Sequence, residues 1–193
     1  MIMEGKLVII SAPSGSGKTT LVQFLLGRGL PLAFSVSACS RPKRPHETEG
    51  KDYYFLSAAQ FREKIDTGEF VEWEEVYQDH FYGTLKSEIT RIWNRGLHVV
   101  FDVDVFGGLN IKRQFGDRAL ALFIMPPSVA ELERRLVKRS TESPENLARR
   151  LEKAGAEMKR AGEFDIIIVN DDLDTAMKEL YQTVSRFLED QQK

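Results

Sequence analysis

Along this chain, apolar residues gather into short runs, separated by stretches in which they return every three or four positions. The runs at Leu7–Ser11, 97–103, Ala119–Met125 and 166–170 are rich in Val, Ile, Leu and Phe. Few polar residues interrupt them, which predicts strands buried on both faces. After the first run, Leu21, Val22, Phe24, Leu25 and Leu26 fall at helical spacing, and the pattern stops near Gly27-Arg28-Gly29, with Pro31 beyond. A further helix is expected from about Lys86 to Arg95, closed by Gly96. Ser128-Val129-Ala130-Glu131 follows Pro126-Pro127 and forms a capping box that opens a helix to Arg139. Ser143-Pro144 supplies an N-cap and a first-turn proline for a helix to about Ala161. From Asp172 onward, Leu173, Ala176, Met177, Leu180, Val184 and Leu188 share one helical face. Strands alternating with helices predict an α/β fold, a mostly parallel sheet flanked by helices.

Two segments depart from this alternation. Residues 34–84 hold short strand-like pieces at 34–37, 53–56 and 70–74 and one helix from Ser57 to about Ile65, and they are dense in Arg, Tyr and Glu. Residues 127–161 read as helical, with few large apolar side chains and with Arg134, Arg135, Arg139, Arg149 and Arg150. The expected organisation is a core of residues 1–33, 85–126 and 162–193, carrying two mobile attachments. Such attachments suit a reaction from which water must be excluded.

Between the first strand and the first helix lies Ala12-Pro-Ser14-Gly15-Ser16-Gly17-Lys18-Thr19-Thr20. Strand, glycine-rich loop and helix is the context of a nucleotide-binding P-loop. Gly15 and Gly17 let the backbone turn its amides inward, and the helix adds the partial positive charge of its first turn. Lys18 is placed to reach the β- and γ-phosphates, and the Thr19 hydroxyl to ligate Mg²⁺. Ser14, Gly15, Ser16, Gly17, Lys18, Thr19 and Thr20 are therefore the expected ATP-binding residues. Ala12 stands where the motif usually begins with glycine, which is tolerable at a strand end.

Composition narrows the picture further. The 193 residues suffice for one α/β domain with inserted subdomains. Basic and acidic residues number 27 and 29, a net charge of −2, so no global field favours a nucleic acid polymer or an anionic membrane. Any anion site must be local. One cysteine, Cys39, excludes an internal disulfide, no apolar run is long enough to span a bilayer, and the first residues do not resemble a signal peptide. Cytoplasm is the expected compartment.

Within residues 34–84, Arg41-Pro-Lys-Arg44-Pro sets two guanidinium groups three residues apart on a proline-stiffened loop, which suits bidentate phosphate recognition. Ser37 and Tyr53 can add hydroxyl donors. Acidic residues follow in Glu69-Phe-Val-Glu72-Trp73-Glu-Glu, and then Phe81-Tyr82-Gly83-Thr84. With these motifs in this order, the chain resembles the guanylate kinases from about residue 6 to about residue 181. The resemblance rests on Pro13-Ser-Gly-Ser-Gly-Lys-Thr19, Ser35-Val-Ser37, Arg41-Pro-Lys-Arg44-Pro, Gly50-Lys-Asp-Tyr53, Gly68-Glu-Phe-Val-Glu72-Trp73, Tyr82-Gly-Thr84, Asp102-Val-Asp104 and Val169-Asn-Asp-Asp172.

That resemblance implies transfer of the ATP γ-phosphoryl to GMP, and to dGMP as well, with Mg²⁺, by a monomer or homodimer. It implies that Ser37, Arg41, Arg44, Tyr53 and Tyr82 hold the GMP phosphate. Glu72, Thr84 and Asp104 then read or flank the guanine, with Asp102 nearby and contacting Mg²⁺ through water. Guanine offers N1–H and its amino group side by side, so one Glu72 carboxylate can accept from both, while Thr84 can donate to O6. Lys18, Arg41, Arg135, Arg139 and Arg150 are the implied catalytic cations, Arg150 bridging the two ligands. Arg134 and Arg149 read instead as surface residues of the kind that pair along a helix, as Glu131 and Arg135 also could. Asn170 is placed near the adenine through backbone groups.

The sequence departs from the family pattern at Ala38-Cys39-Ser40, His46 and Phe106, and by one added residue between Trp73 and Tyr82. Two other readings remain open: a silent guanylate kinase-like module that binds phosphopeptides, and a related kinase with another phosphorylated acceptor. The complete P-loop speaks against the first, Glu72 and Thr84 against the second.

Overall fold

A computed structural model describes residues 5–139 and 144–190. The side chains of Arg139 and Pro144, and the expected N-cap Ser143, lie outside the described residues. In chain order, the first elements are β1 (Leu7–Ser11), α1 (Lys18–Leu26), β2 (Leu32–Phe34), β3 (Ala38–Cys39), β4 (Tyr54–Phe55) and α2 (Ala58–Asp66). Next come β5 (Phe70–Tyr77), β6 (His80–Leu85), α3 (Lys86–Trp93), β7 (His98–Asp102) and α4 (Val105–Phe115). The chain continues through β8 (Ala119–Met125), α5 (Val129–Arg139), α6 (Pro144–Lys159), β9 (Ile166–Val169) and α7 (Leu173–Glu189). These elements fall into two units, Met1–Gly5 with Pro31–Val99, and Lys6–Leu30 with Val100–Lys193.

The second unit is the α/β body that the apolar runs predict. β1 pairs in parallel with β8, from Leu7 opposite Ala119 to Ser11 opposite Phe123, and β8 pairs in parallel with β9. Residues 100–102 of β7 flank β1 on its other side. Leu7, Val8, Ile9, Ile10, Leu122, Phe123 and Ile124 are fully buried, as expected of strands covered on both faces. α4 packs closely because Gly108 is there: a Cβ would stand 2.5 Å from Ser11 Oγ and 3.1 Å from Ile9 Cγ2. In α7, Asp172 is the N-cap, accepting from Thr175 N at 2.9 Å, and Ala176, Leu180 and Val184 are buried. Leu173 is exposed rather than on the core face. α5 and α6 share a small apolar cluster of Leu132, Leu136 and Ala154, with Leu147, Leu151 and Met158 against it.

The first unit contains a four-stranded sheet in the order β4-β3-β6-β5, with β5–β6 and β3–β6 antiparallel. Residues 38–39, outside the strand-like pieces expected from the sequence, form a strand whose Ala38 and Cys39 are fully buried. The hairpin between β5 and β6 turns through Gln78-Asp79, with Tyr77 opposite His80 and Asp79 at φ 63°. An aspartate tolerates that left-handed conformation, and beside the turn β5 carries one residue more than β6 between Glu75 and Tyr77, a bulge in the ladder. α2 begins with a reciprocal capping box between Ser57 and Gln60. It buries Phe61 against Phe70 and Phe81, with ring centroids 4.3 and 5.3 Å away. Glu88 ties this unit together: it is buried and accepts from Val36 N, Tyr54 Oη and the Arg91 guanidinium at 2.6–3.0 Å. Burial alone would raise its pKa, but those donors outweigh it and hold the carboxyl below the usual carboxylate range.

Candidate active site

In the second unit, Gly15 and Gly17 adopt φ of 93° and 88°, a conformation that costs other residues strain. Gly17 is the N-cap residue of α1, so the loop delivers its amides directly into the helix start. The Ser16 hydroxyl is buried and has no hydrogen-bond partner among the described residues. Asn170 is buried at the end of β9 and donates from Nδ2 to Ser16 O at 2.7 Å, and a Cβ on Gly17 would collide with its amide. The side chain of Asn170 thus braces the phosphate loop, a role the sequence does not suggest.

Lys18 Nζ lies 2.5 Å from Asp102 Oδ1 and donates to Val103 O at 3.0 Å. It is thereby fixed at the carboxyl end of β7, where open α/β sheets bind ligands. Asp104 caps α4, accepting from Gly107 N at 2.8 Å, and its carbonyl accepts from Ser11 Oγ at 3.0 Å. Ser14, Thr19 and Thr20 are exposed.

Arg150 of α6 donates to Ser14 Oγ at 2.6 Å, so one of the expected catalytic arginines already touches the phosphate loop. Arg135 of α5 donates to Glu131 at 2.7 Å and to Asn170 O at 3.2 Å. Gly15, Gly17, Thr20, Arg135, Asn170, Asp171 and Leu173 line a cleft of about 280 Å³. Exposed Leu173 thus has a place as a cleft wall. Glu131 also accepts a fork from Arg134, at 2.7 and 2.9 Å, and hydrogen bonds from Arg134 and Arg135 pull its carboxyl down to about 2. Ser128 caps α5 as the sequence predicts, with Glu131 N 3.1 Å from its hydroxyl. Arg149 is exposed, and the Arg139 side chain is outside the described residues. Glu157 is buried on α6, 4.0 Å from Lys153. Burial pushes its carboxyl up, aided by the charge of Asp104, while Lys153 and Lys18 oppose the shift.

The first unit gathers the expected phosphate-binding residues. Arg41 donates from Nε to Tyr82 Oη at 3.2 Å and lies over the Tyr53 ring, 5.0 Å from its centroid. The Tyr53 and Tyr82 rings meet edge to face at 6.0 Å. Ser37 is half-buried and its carbonyl accepts from Tyr54 N at 2.9 Å, while Arg44 is exposed. Glu72 and Thr84 stand directly opposite each other on β5 and β6, and Thr84 is fully buried. Sequence reasoning misses one participant. Glu47 is buried and its carboxylate takes both terminal nitrogens of Arg41, at 2.7 and 2.5 Å. The available signal was an acid in an otherwise basic loop, three residues after Arg44 and six after Arg41.

A family model described as guanylate kinase matches residues 4–187. A guanylate kinase of Bacteroides fragilis is 51% identical over 185 residues, 96% of this chain and 91% of its own length. One of Porphyromonas gingivalis is 52% identical over 184 residues, covering 95% of this chain and 98% of the relative. Among solved structures, a guanylate kinase from Anaplasma phagocytophilum aligns with a TM-score of 0.76 at 28% identity, covering 96% of this chain and 87% of that one.

Proposed function

The chain belongs to the guanylate kinase family, and from that premise we propose how its residues divide the work. It is an enzyme that phosphorylates GMP at the expense of ATP. The triphosphate rests on the amides of residues 14–20, on Lys18 and on the start of α1, which together supply charge without a covalent step. The buried Ser16 hydroxyl supports this, since a polar group left unpartnered is one that a ligand oxygen would satisfy. The Thr19 hydroxyl and the Asp102 carboxylate are hard oxygen donors of the kind Mg²⁺ prefers and would hold the ion, Asp102 by way of a water. Bound there, the ion would neutralise charge shared by the β- and γ-phosphates.

Ser37, Arg41, Arg44, Tyr53 and Tyr82 take the phosphate of GMP, and Glu72 with Thr84 reads the guanine edge. These residues address phosphate and base, so dGMP serves as well. Arg135, Arg139 and Arg150 bring positive charge to the phosphoryl in transit. No general base is required, because the acceptor phosphate is already a nucleophile. Cytoplasm suits the reduced, buried Cys39.

The observation that carries this reading is the intact phosphate loop, with Gly15 and Gly17 in left-handed conformations and Lys18 held by Asp102 and Val103 O. GMP-dependent release of ADP from Mg-ATP by the purified protein tests it. The release should vanish in Lys18→Ala. Equal release by that variant would remove the donor assignment.

A further inference from the structure

Arg41 has five N–H donors in a fixed plane, and their distribution is uneven. Both Nη1 hydrogens are engaged, by Glu47 Oε2 at 2.7 Å and by Pro42 O at 3.0 Å, and Nη2 donates to Glu47 Oε1 at 2.5 Å. On the remaining edge, formed by Nε–H and the second Nη2–H, Nε donates to the Tyr82 hydroxyl at 3.2 Å. Glu47 is itself fixed: its backbone N donates to Arg44 O at 3.1 Å, and its Oε2 accepts from Arg44 N at 2.9 Å. Only 12% of the Arg41 side chain and 7% of the Glu47 side chain is exposed, so this pair is held in low dielectric.

We propose that Glu47 is a positioning residue for the acceptor. It grips the terminal edge of Arg41 so that the Nε/Nη2 edge, beside the Tyr82 hydroxyl, is presented to the phosphate of GMP. This rests on the assignment of Arg41 to that phosphate. Hydrogen bonding from Arg41 draws the carboxyl down to about 2, so it is charged at neutral pH. A guanidinium on a loop otherwise samples many rotamers, and one held in a bidentate fork has met that entropy in advance. The opposite role is also physically sensible: Glu47 could act as a stand-in for phosphate that GMP must displace. The two roles differ in sign.

Steady-state kinetics and calorimetric GMP binding on the wild type, Glu47→Gln and Glu47→Asp distinguish them. Glutamine fills the same volume without the charge, so a merely space-filling role leaves GMP binding unmoved. For Glu47→Gln, the KM and Kd for GMP should rise about ten- to a hundredfold, as for other outer-shell supports of a liganding side chain, with KM for ATP unchanged. Glu47→Asp, which keeps the charge on a shorter arm, should show a smaller rise and so a partial rescue. It also carries the test should the glutamine variant fail to fold. GMP affinity equal to or tighter than that of the wild type in either variant overturns the proposal. A wild type that releases no ADP with GMP would instead overturn the function on which it rests.

Discussion

Thr84 donates its hydroxyl hydrogen to Glu72 Oε1 at 2.7 Å, across a directly opposed pair of β5 and β6. The sequence suggests that Thr84 donates to guanine O6. Here its single hydrogen is directed at the carboxylate; on the proposed assignment, that orients Glu72 as an acceptor for the adjacent N1–H and amino group of guanine. Adenine presents a lone pair at N1 and would face that carboxylate without a hydrogen to give.

Removing the hydroxyl in Thr84→Val should therefore weaken GMP by roughly tenfold, the worth of a hydrogen bond to a charged group. The KM for ATP should not move. Glu72→Gln should erode the preference for GMP over AMP in the same assay. A glutamine variant that keeps the full preference would remove Glu72 from base recognition.

Arg150 bonds to Ser14, and Lys18 to Asp102, so both cations are held against the donor loop. Arg150→Ala is expected to lower kcat by about 10³ or more, the scale of an arginine that stabilises transferring phosphoryl charge. Thermal melting of this variant should stay near that of the wild type, because Arg150 lies outside the buried apolar cluster of α5 and α6.

Glu157 gives a pH-dependent stability. Its folded-state pKa is raised, chiefly by burial, so the native protein favours the neutral carboxyl. The cost of ionising it is absent below the unfolded pKa and grows as pH rises toward the folded one. Glu157→Gln should accordingly raise the melting temperature at neutral pH. That gain should fade below about pH 4, where the carboxyl is protonated in both states. A gain of equal size at both pH values would show that charge burial is not its origin.

The capping box of α2 offers a test of local structure. Gln60 N donates to Ser57 Oγ at 3.2 Å, and Ser57 N to Gln60 Oε1 at 2.9 Å. Ser57→Ala should cost about 1 kcal/mol in urea unfolding, within the usual range for a lost N-cap. Activity at saturating substrate should be retained.

These residues also show where the sequence was informative. β1, α1 and the phosphate loop were legible because their signals are contiguous: an apolar run, two glycines and a helical period within twenty or so positions. β8 and the start of α7 near Asp172 were legible for the same reason. β3 and β6 were not, since a two-residue strand and a hairpin through Gln78-Asp79 take their stability from partners on other segments, and neither carries an Asn-Gly type turn signal. The same distinction runs through the site. Lys18, Arg41 and Glu72 stand in readable motifs, whereas the brace from Asn170 to Ser16 spans 154 positions. Glu47 is near Arg41 in sequence, yet nothing in an exposed-looking basic loop announces that its carboxylate will be buried.

The most direct measurement is the rate of ADP release from Mg-ATP with GMP, dGMP, AMP and UMP in turn as acceptors. GMP and dGMP should support turnover, and AMP and UMP should fall behind by a factor approaching the 10⁴–10⁵ that hydrogen-bonded sites reach, roughly, in rejecting a mismatched partner. Turnover of AMP at the rate of GMP would contradict a site in which Glu72, held by Thr84, selects the guanine edge.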